Sequence, residues 1–185
     1  MSAHANSTDV EERSKIFKEI LLSHNIAYDE SMVLYGGFSY EIAYKALSAY
    51  NDVKGRIDFD AIVAMNDQMA YGCLDFFRQH NLRVPDDILV TGFDDDERSI
   101  LMTPSLTSLN QELTTQGYKS MEMILSIIDG KPVESPIKVS VSPLYRQSCG
   151  CISKDSGRFL SLDENGNTIE DTTQQNFTIA GDWCT

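Results

Sequence analysis

Long apolar runs are missing from this 185-residue chain. No stretch approaches the ~18 consecutive apolar residues that a bilayer-spanning helix needs, and the opening residues are polar rather than a signal-type apolar core. A cytoplasmic location with no membrane contact is the expectation. Positive charge is also scarce: 15 Lys and Arg face 28 Asp and Glu, for a formal net charge of -13. That balance repels phosphate backbones, so these residues by themselves are not expected to bind nucleic acid. Histidine is limited to His4, His24 and His80, and cysteine to Cys73, Cys149, Cys151 and Cys184. Cys149-Gly150-Cys151 leaves one residue between its thiols, too few for a zinc knuckle, so no metal site is expected. Cys73, next to Met69, Leu74 and Phe77, reads as a small buried hydrophobe, and the plain reading of all four is reduced thiols. There is no Gly-x-Ser-x-Gly elbow and no phosphate-cradling glycine loop, so neither an activated nucleophile nor a cofactor is indicated.

What is present is an alternation of short apolar runs with helical periodicity. Thr8-x-x-Glu11 has the spacing of a capping box, and a helix to about residue 23 is expected to bury Val10, Phe17, Ile20 and Leu21. A strand is expected at 32–35, a helix at 39–50, a strand at 61–65, a helix at 67–80 and a strand at 88–93. That order predicts an α/β fold with a doubly wound parallel sheet. Pro104 marks a change of pattern. A short extended link at 106–110 and an amphipathic helix at 112–129 follow, and Gly130 and Pro132 end the helix. Ile137-Lys-Val-Ser-Val-Ser142 alternates with period two and predicts a half-buried strand. Beyond Cys151 the chain turns polar, with hairpin chemistry at Asn165-Gly166.

The stretch Ala61-Ile-Val-Ala-Met-Asn-Asp-Gln-Met-Ala-Tyr-Gly72 is the most informative. Its apolar run stops at Asn66-Asp67, and a helical pattern begins at once. Downstream, Ile88-Leu-Val-Thr-Gly-Phe93 runs into Asp94-Asp95-Asp96 in the same way. Buried parallel strands that end in amides and carboxylates predict a polar crevice at the carboxyl edge of the sheet, where open α/β folds bind small ligands. Phe38, Asn110 and Gln111 fall at similar strand ends. Arg13 lies inside the apolar arc of the first helix, where a guanidinium either pairs with a structural carboxylate or faces a ligand. This mixture suits sugars. Carboxylate, amide and guanidinium groups satisfy vicinal hydroxyls, and an aromatic ring covers the apolar face of a pyranose. Each residue also has a plainer reading: Asp67 as a helix cap, Asp95 and Asp96 as solvated turn residues, Phe38 as packing. A glycosidase-type pair of Asp67 and Asp94 lacks the apolar pocket that would raise one acid, so no catalytic residue is expected.

These residues closely resemble the effector-binding domain of the LacI/GalR family of bacterial transcription regulators, which shares its fold with periplasmic sugar-binding proteins. The resemblance runs from about Val10 to Cys149. It is carried by the 61–72 stretch, by Leu82-Arg-Val-Pro-Asp-Asp-Ile-Leu-Val-Thr-Gly-Phe-Asp-Asp95 and by Thr103-Pro-Ser-Leu-Thr-Ser-Leu-Asn-Gln111. It implies a type I periplasmic-binding-protein fold, with Arg13, Phe38, Asn66 and Asp94 as sugar contacts and Gln111 near the hinge side of the cleft. Leu113 stands where some members carry an aromatic ring. Residues 1–103 would be the C-terminal lobe lacking its first strand. Residues 104–151 would be a crossover, a first-lobe helix and a returning strand, and 152–185 a polar extension. A homodimer is implied, its DNA contacts made by a helix-turn-helix domain that is not among these residues. The chain is therefore expected to be part of a longer protein. Two other outputs for the same sensing lobe are a signalling protein, such as a diguanylate cyclase or histidine kinase, and a solute-binding protein.

Overall fold

A computed structural model describes residues 8–151. Among the described residues there are four helices: α1 (Thr8–Ser23), α2 (Tyr40–Lys54), α3 (Asp67–Gln79) and α4 (Leu113–Ile128). Four three-residue strands accompany them: β1 (Ala61–Val63), β2 (Leu89–Thr91), β3 (Ser108–Asn110) and β4 (Ser142–Leu144). β1 and β2 pair in parallel, with Ile62 opposite Val90. Single parallel bridges, Thr91 to Thr107 and Asp94 to Asn110, carry the sheet on toward β3. β4 then closes on β3 in the antiparallel sense, with Ser108 opposite Leu144.

One core holds this together. Ile62 and Val90 join Leu47 of α2 and Met69, Phe76 and Phe77 of α3, all buried. Gly72 makes the approach of the two helices possible, because a Cβ there would sit 2.4 Å from the Tyr40 carbonyl oxygen. Tyr44 of α2 hydrogen-bonds Gln79 at 2.7 Å and meets Phe76 edge-on, with ring centroids 5.6 Å apart. On the other face of the sheet, Val63 and Leu89 remain 43% and 37% exposed. Among the described residues the second covering layer of a doubly wound sheet is therefore incomplete.

Several expected features differ. Residues 32–35 do not form a strand: a 3-10 turn occupies Glu30–Met32, capped by Asp29, and Tyr35 makes an isolated bridge. Met32 and Val33 are exposed there, so burial does not reinforce an extended run. The alternating segment at 137–142 is also not a strand, and pairing starts only at Ser142. Ile137 and Val141 are exposed, and alternation without a neighbouring layer to bury it does not hold a strand. In α1 only Val10 is buried, while Phe17 and Ile20 face outward. Thr8 is the first residue of α1 rather than its cap, and the position before it lies outside the described residues. α4 has the expected extent but no buried residue. Cys73 is buried and its thiol is pushed up to about 12 by desolvation, as an inert core cysteine should be. Cys149 is free but Cys151 is disulfide-bonded, so the four thiols are not uniformly reduced. The Asn165-Gly166 turn signal lies outside the described residues.

Candidate functional site

The carboxyl edge of β1 and β2 is built by two abrupt chain reversals. After β1, Asn66 adopts extended backbone angles and caps α3, its Oδ1 accepting from the Met69 amide at 3.0 Å. The cap that composition offered to Asp67 thus belongs to Asn66. The amide of Asn66 also donates to the Phe38 carbonyl at 3.4 Å, which links the turn at 37–38 to the end of β1. After β2, Asp94 and Asp95 have φ values of 115° and 56°, and Phe38 has 56°. Left-handed angles at non-glycine residues cost roughly 1–3 kcal/mol each, and they collect where a site requires a particular side-chain direction.

Arg13 reaches both strand ends from α1. Its Nη1 donates to the Met65 carbonyl at 3.0 Å, and its guanidinium lies 3.8 Å from the centre of the Phe93 ring. The partners of this arginine are a carbonyl and an aromatic face rather than the structural carboxylate considered from the sequence. Phe93 immediately precedes Asp94, so the stack fixes the positive charge beside that acid. Burial pushes the Asp94 carboxyl above its usual value, assisted by the charges of Asp67 and Asp96 and opposed by Gln111 and Arg13. Gln111 donates its side-chain amide to Asp94 Oδ1.

The five residues singled out in the sequence thus form two directly bonded pairs, Asp94 with Gln111 and Asn66 with the Phe38 backbone, with Arg13 between the strand ends. The ring of Phe38 packs in part on the core. An open depression of about 230 Å³ is lined by Asp94, Asp95, Asn110, Glu112, Leu113 and Thr114. Of the five, only Asp94 borders it.

Two carboxylates do more than the sequence indicated. Asp67 is 1% exposed and accepts from Ser99 Oγ at 2.7 Å, Ser108 Oγ at 2.6 Å and the Asp96 amide at 2.8 Å. Desolvation raises its carboxyl and these three donors oppose the rise. Its oxygens are committed inward, which leaves no face for substrate acid–base work. Asp95 is not a solvated turn residue. It pairs with Arg146 at 2.6 Å, accepts from Asn110 at 2.8 Å, and its own amide donates to Ser108 Oγ at 3.1 Å. Phe93, Ser99, Ser108 and Arg146 were not marked in advance. Their neighbours lie 13 to 80 positions away in sequence, and local pattern carries no signal at that range.

A family model described as a periplasmic binding protein-like domain matches residues 2–149. The chain belongs to that family. Curated proteins similar to it are HTH-type transcription regulators. The HTH-type transcriptional regulator CelR of Thermobifida fusca is 32% identical over 129 residues, covering 69% of this chain and 37% of that protein. The HTH-type transcriptional repressor PurR of Vibrio campbellii is 30% identical over 137 residues, covering 74% of this chain and 40% of the repressor. Among solved structures, a transcriptional regulator CelR–cellobiose complex aligns with a TM-score of 0.71 and 29% identity, covering 80% of this chain and 45% of that one. The Escherichia coli transcriptional repressor ascG aligns with a TM-score of 0.72 at 24% identity, covering 80% of this chain and 53% of the repressor, a likeness of fold. The chain therefore spans less than half the length of the curated relatives it matches, and the effector domain of LacI/GalR-type regulators is represented in part. No helix among the described residues is long and apolar enough to cross a membrane.

Proposed function

We propose that this periplasmic binding protein-like domain is the sensing part of a LacI/GalR-type transcription regulator and binds a sugar or related polyol at the carboxyl edge of β1 and β2. Arg13, Phe38, Asn66, Asp94 and Gln111 are the contacts, with Arg13, Asn66 and Asp94 contributing the largest share. The observation that carries the reading is Arg13 itself. A cation drawn from α1 onto the ends of both parallel strands, beside a carboxylate raised by burial, is a costly arrangement that packing alone does not require. The CelR–cellobiose complex supports a sugar as the ligand class. Operation as a homodimer, and DNA contacts through a part of the protein beyond these residues, belong to the same proposal. The curated relatives being regulators rather than enzymes, ligand binding rather than turnover is the output.

In this picture the ligand shifts an open–closed balance only by its differential affinity for the closed form. The test is a thermal-shift and calorimetric screen of the intact protein against glucose, galactose, ribose, maltose and cellobiose, repeated with Asp94→Ala. Binding by the wild type that weakens by two to three orders of magnitude, roughly 3–4 kcal/mol, in the variant supports the assignment. Equal affinity in both removes it.

A further inference from the structure

The ion pair of Asp95 and Arg146 joins the proposed ligand edge to the segment where the chain returns after β4. Both side chains are nearly buried, 15% and 14% exposed. Arg146 does more than neutralise. While Nη2 holds Asp95, Nη1 donates to the Leu106 carbonyl at 2.7 Å, and the Arg146 amide donates to Thr107 Oγ1 at 2.7 Å. Its two neighbours extend the seam. Gln147 Oε1 accepts from the Ser105 amide at 3.0 Å, and Ser148 Oγ accepts from the Thr107 amide at 2.8 Å while donating to the Val90 carbonyl at 2.6 Å. Residues 105–107 and 146–148 thus form one seam that runs back to β2, and Asp95 is its contact with the turn after that strand.

The turn needs such an anchor. Asp94 and Asp95 are consecutive non-glycine residues with φ of 115° and 56°, a conformation that persists only where surrounding bonds over-determine it. Asp95 is held at three points: both carboxylate oxygens and the backbone amide. Asp94, one residue earlier, has its amide on the Leu109 carbonyl and its carboxylate on Gln111. Fixing Asp95 therefore sets the direction in which Asp94 leaves the backbone.

We propose that Arg146 is a positioning residue: through Asp95 it holds the Asp94 carboxylate in its ligand-ready direction and couples that direction to the seam at 105–107. The proposal rests on Asp94 being a ligand contact. Its first readout is chosen to be independent of any ligand.

The variants are Arg146→Met, Arg146→Lys and Asp95→Asn in the full chain. The readouts are ¹⁵N NMR of the Gln111 side-chain amide and the Asp94 backbone amide, thermal midpoint, and affinity for whichever sugar of the panel above binds the wild type. Arg146→Met is expected to move both resonances and to weaken sugar binding roughly tenfold or more, as loss of one buried charged partner does. Arg146→Lys, which keeps the charge but not the fork, is expected to recover part of each effect. A lower midpoint with both resonances unmoved and affinity unchanged would overturn the proposal, since a merely structural pair gives that result. Should Arg146→Met not fold, Arg146→Lys and Asp95→Asn decide on the same readouts. If no panel sugar binds the wild type, the ligand reading fails, and the resonances alone support or overturn the link from Arg146 to Asp94.

Discussion

Asp67 Oδ1 occupies the space beside Gly92 so closely that a Cβ on Gly92 would lie 2.1 Å from it. The glycine that follows β2 and the first residue of α3 are thus fitted to each other. The same Cβ would stand 3.0 Å from Leu106 Cδ2, so the added methyl would be crowded from two sides.

Gly92→Ala is accordingly expected to destabilise the chain by about 2–4 kcal/mol, because it both overpacks and pushes Asp67 off its three donors. Chemical denaturation with an unchanged slope measures this directly. A change under about 0.5 kcal/mol, the range of ordinary surface substitutions, would show that the fit is looser than the geometry states.

Removing single donors to Asp67 should have smaller effects. Ser108→Ala and Ser99→Ala each leave a buried carboxylate oxygen with one donor fewer, at a cost of about 1–3 kcal/mol. The two losses should combine non-additively, because both hydroxyls serve one carboxylate. A double-mutant cycle by urea denaturation checks this, and strict additivity would contradict the shared acceptor.

Acid titration separates the site from the surface. Asp94 is raised by burial, so over a pH range just above the usual carboxylate value the folded chain keeps a proton that the unfolded chain has released. Its contribution to stability therefore falls as pH rises through that window and is flat above it. Asp87, lowered to about 2 by its bonds with Arg83, works in the opposite sense, and its contribution is lost as pH falls through that value. Subtracting the stability curve of Asp94→Asn isolates the first effect. The wild type minus variant difference should decline with rising pH and then level off. A difference that grows with pH would mean that the charged form of Asp94 is favoured in the fold.

α4 gives a prediction of near silence. Ile124 and Leu125 are 49% and 55% exposed, and α4 has no buried residue. Replacing either with Gln should change the stability of this chain by no more than about 0.5 kcal/mol. A loss above about 2 kcal/mol would require that the apolar side of α4 be covered.

The sequence made the layout visible at the strand ends and less so elsewhere. Asn66 and Asp94 could be placed at the edge because an apolar run stops at each and a new pattern begins, a signal contained within a dozen residues. α3 and α4 were equally plain from their periodicity. The segments at 32–35 and 137–142 failed for a common reason: β-pattern reports a pleated surface that could be buried, while a strand needs a neighbour that buries it. Asp67 and Asp95 were underestimated because their partners, Ser99, Ser108 and Arg146, come from distant parts of the chain. Serine is so common in turns that nothing marks two of them in advance as donors to one buried acid.

The left-handed backbone at Asp94 and Asp95 has a practical bearing on any effort to make the domain hardier. Glycine would relax the angle at Asp94, so a search for thermal tolerance would select it there readily, whereas at Asp95 it would strand the nearly buried Arg146. The gain at Asp94 would erase the carboxylate that the proposed guest needs. Variants toughened at this corner should therefore emerge deaf to their signal.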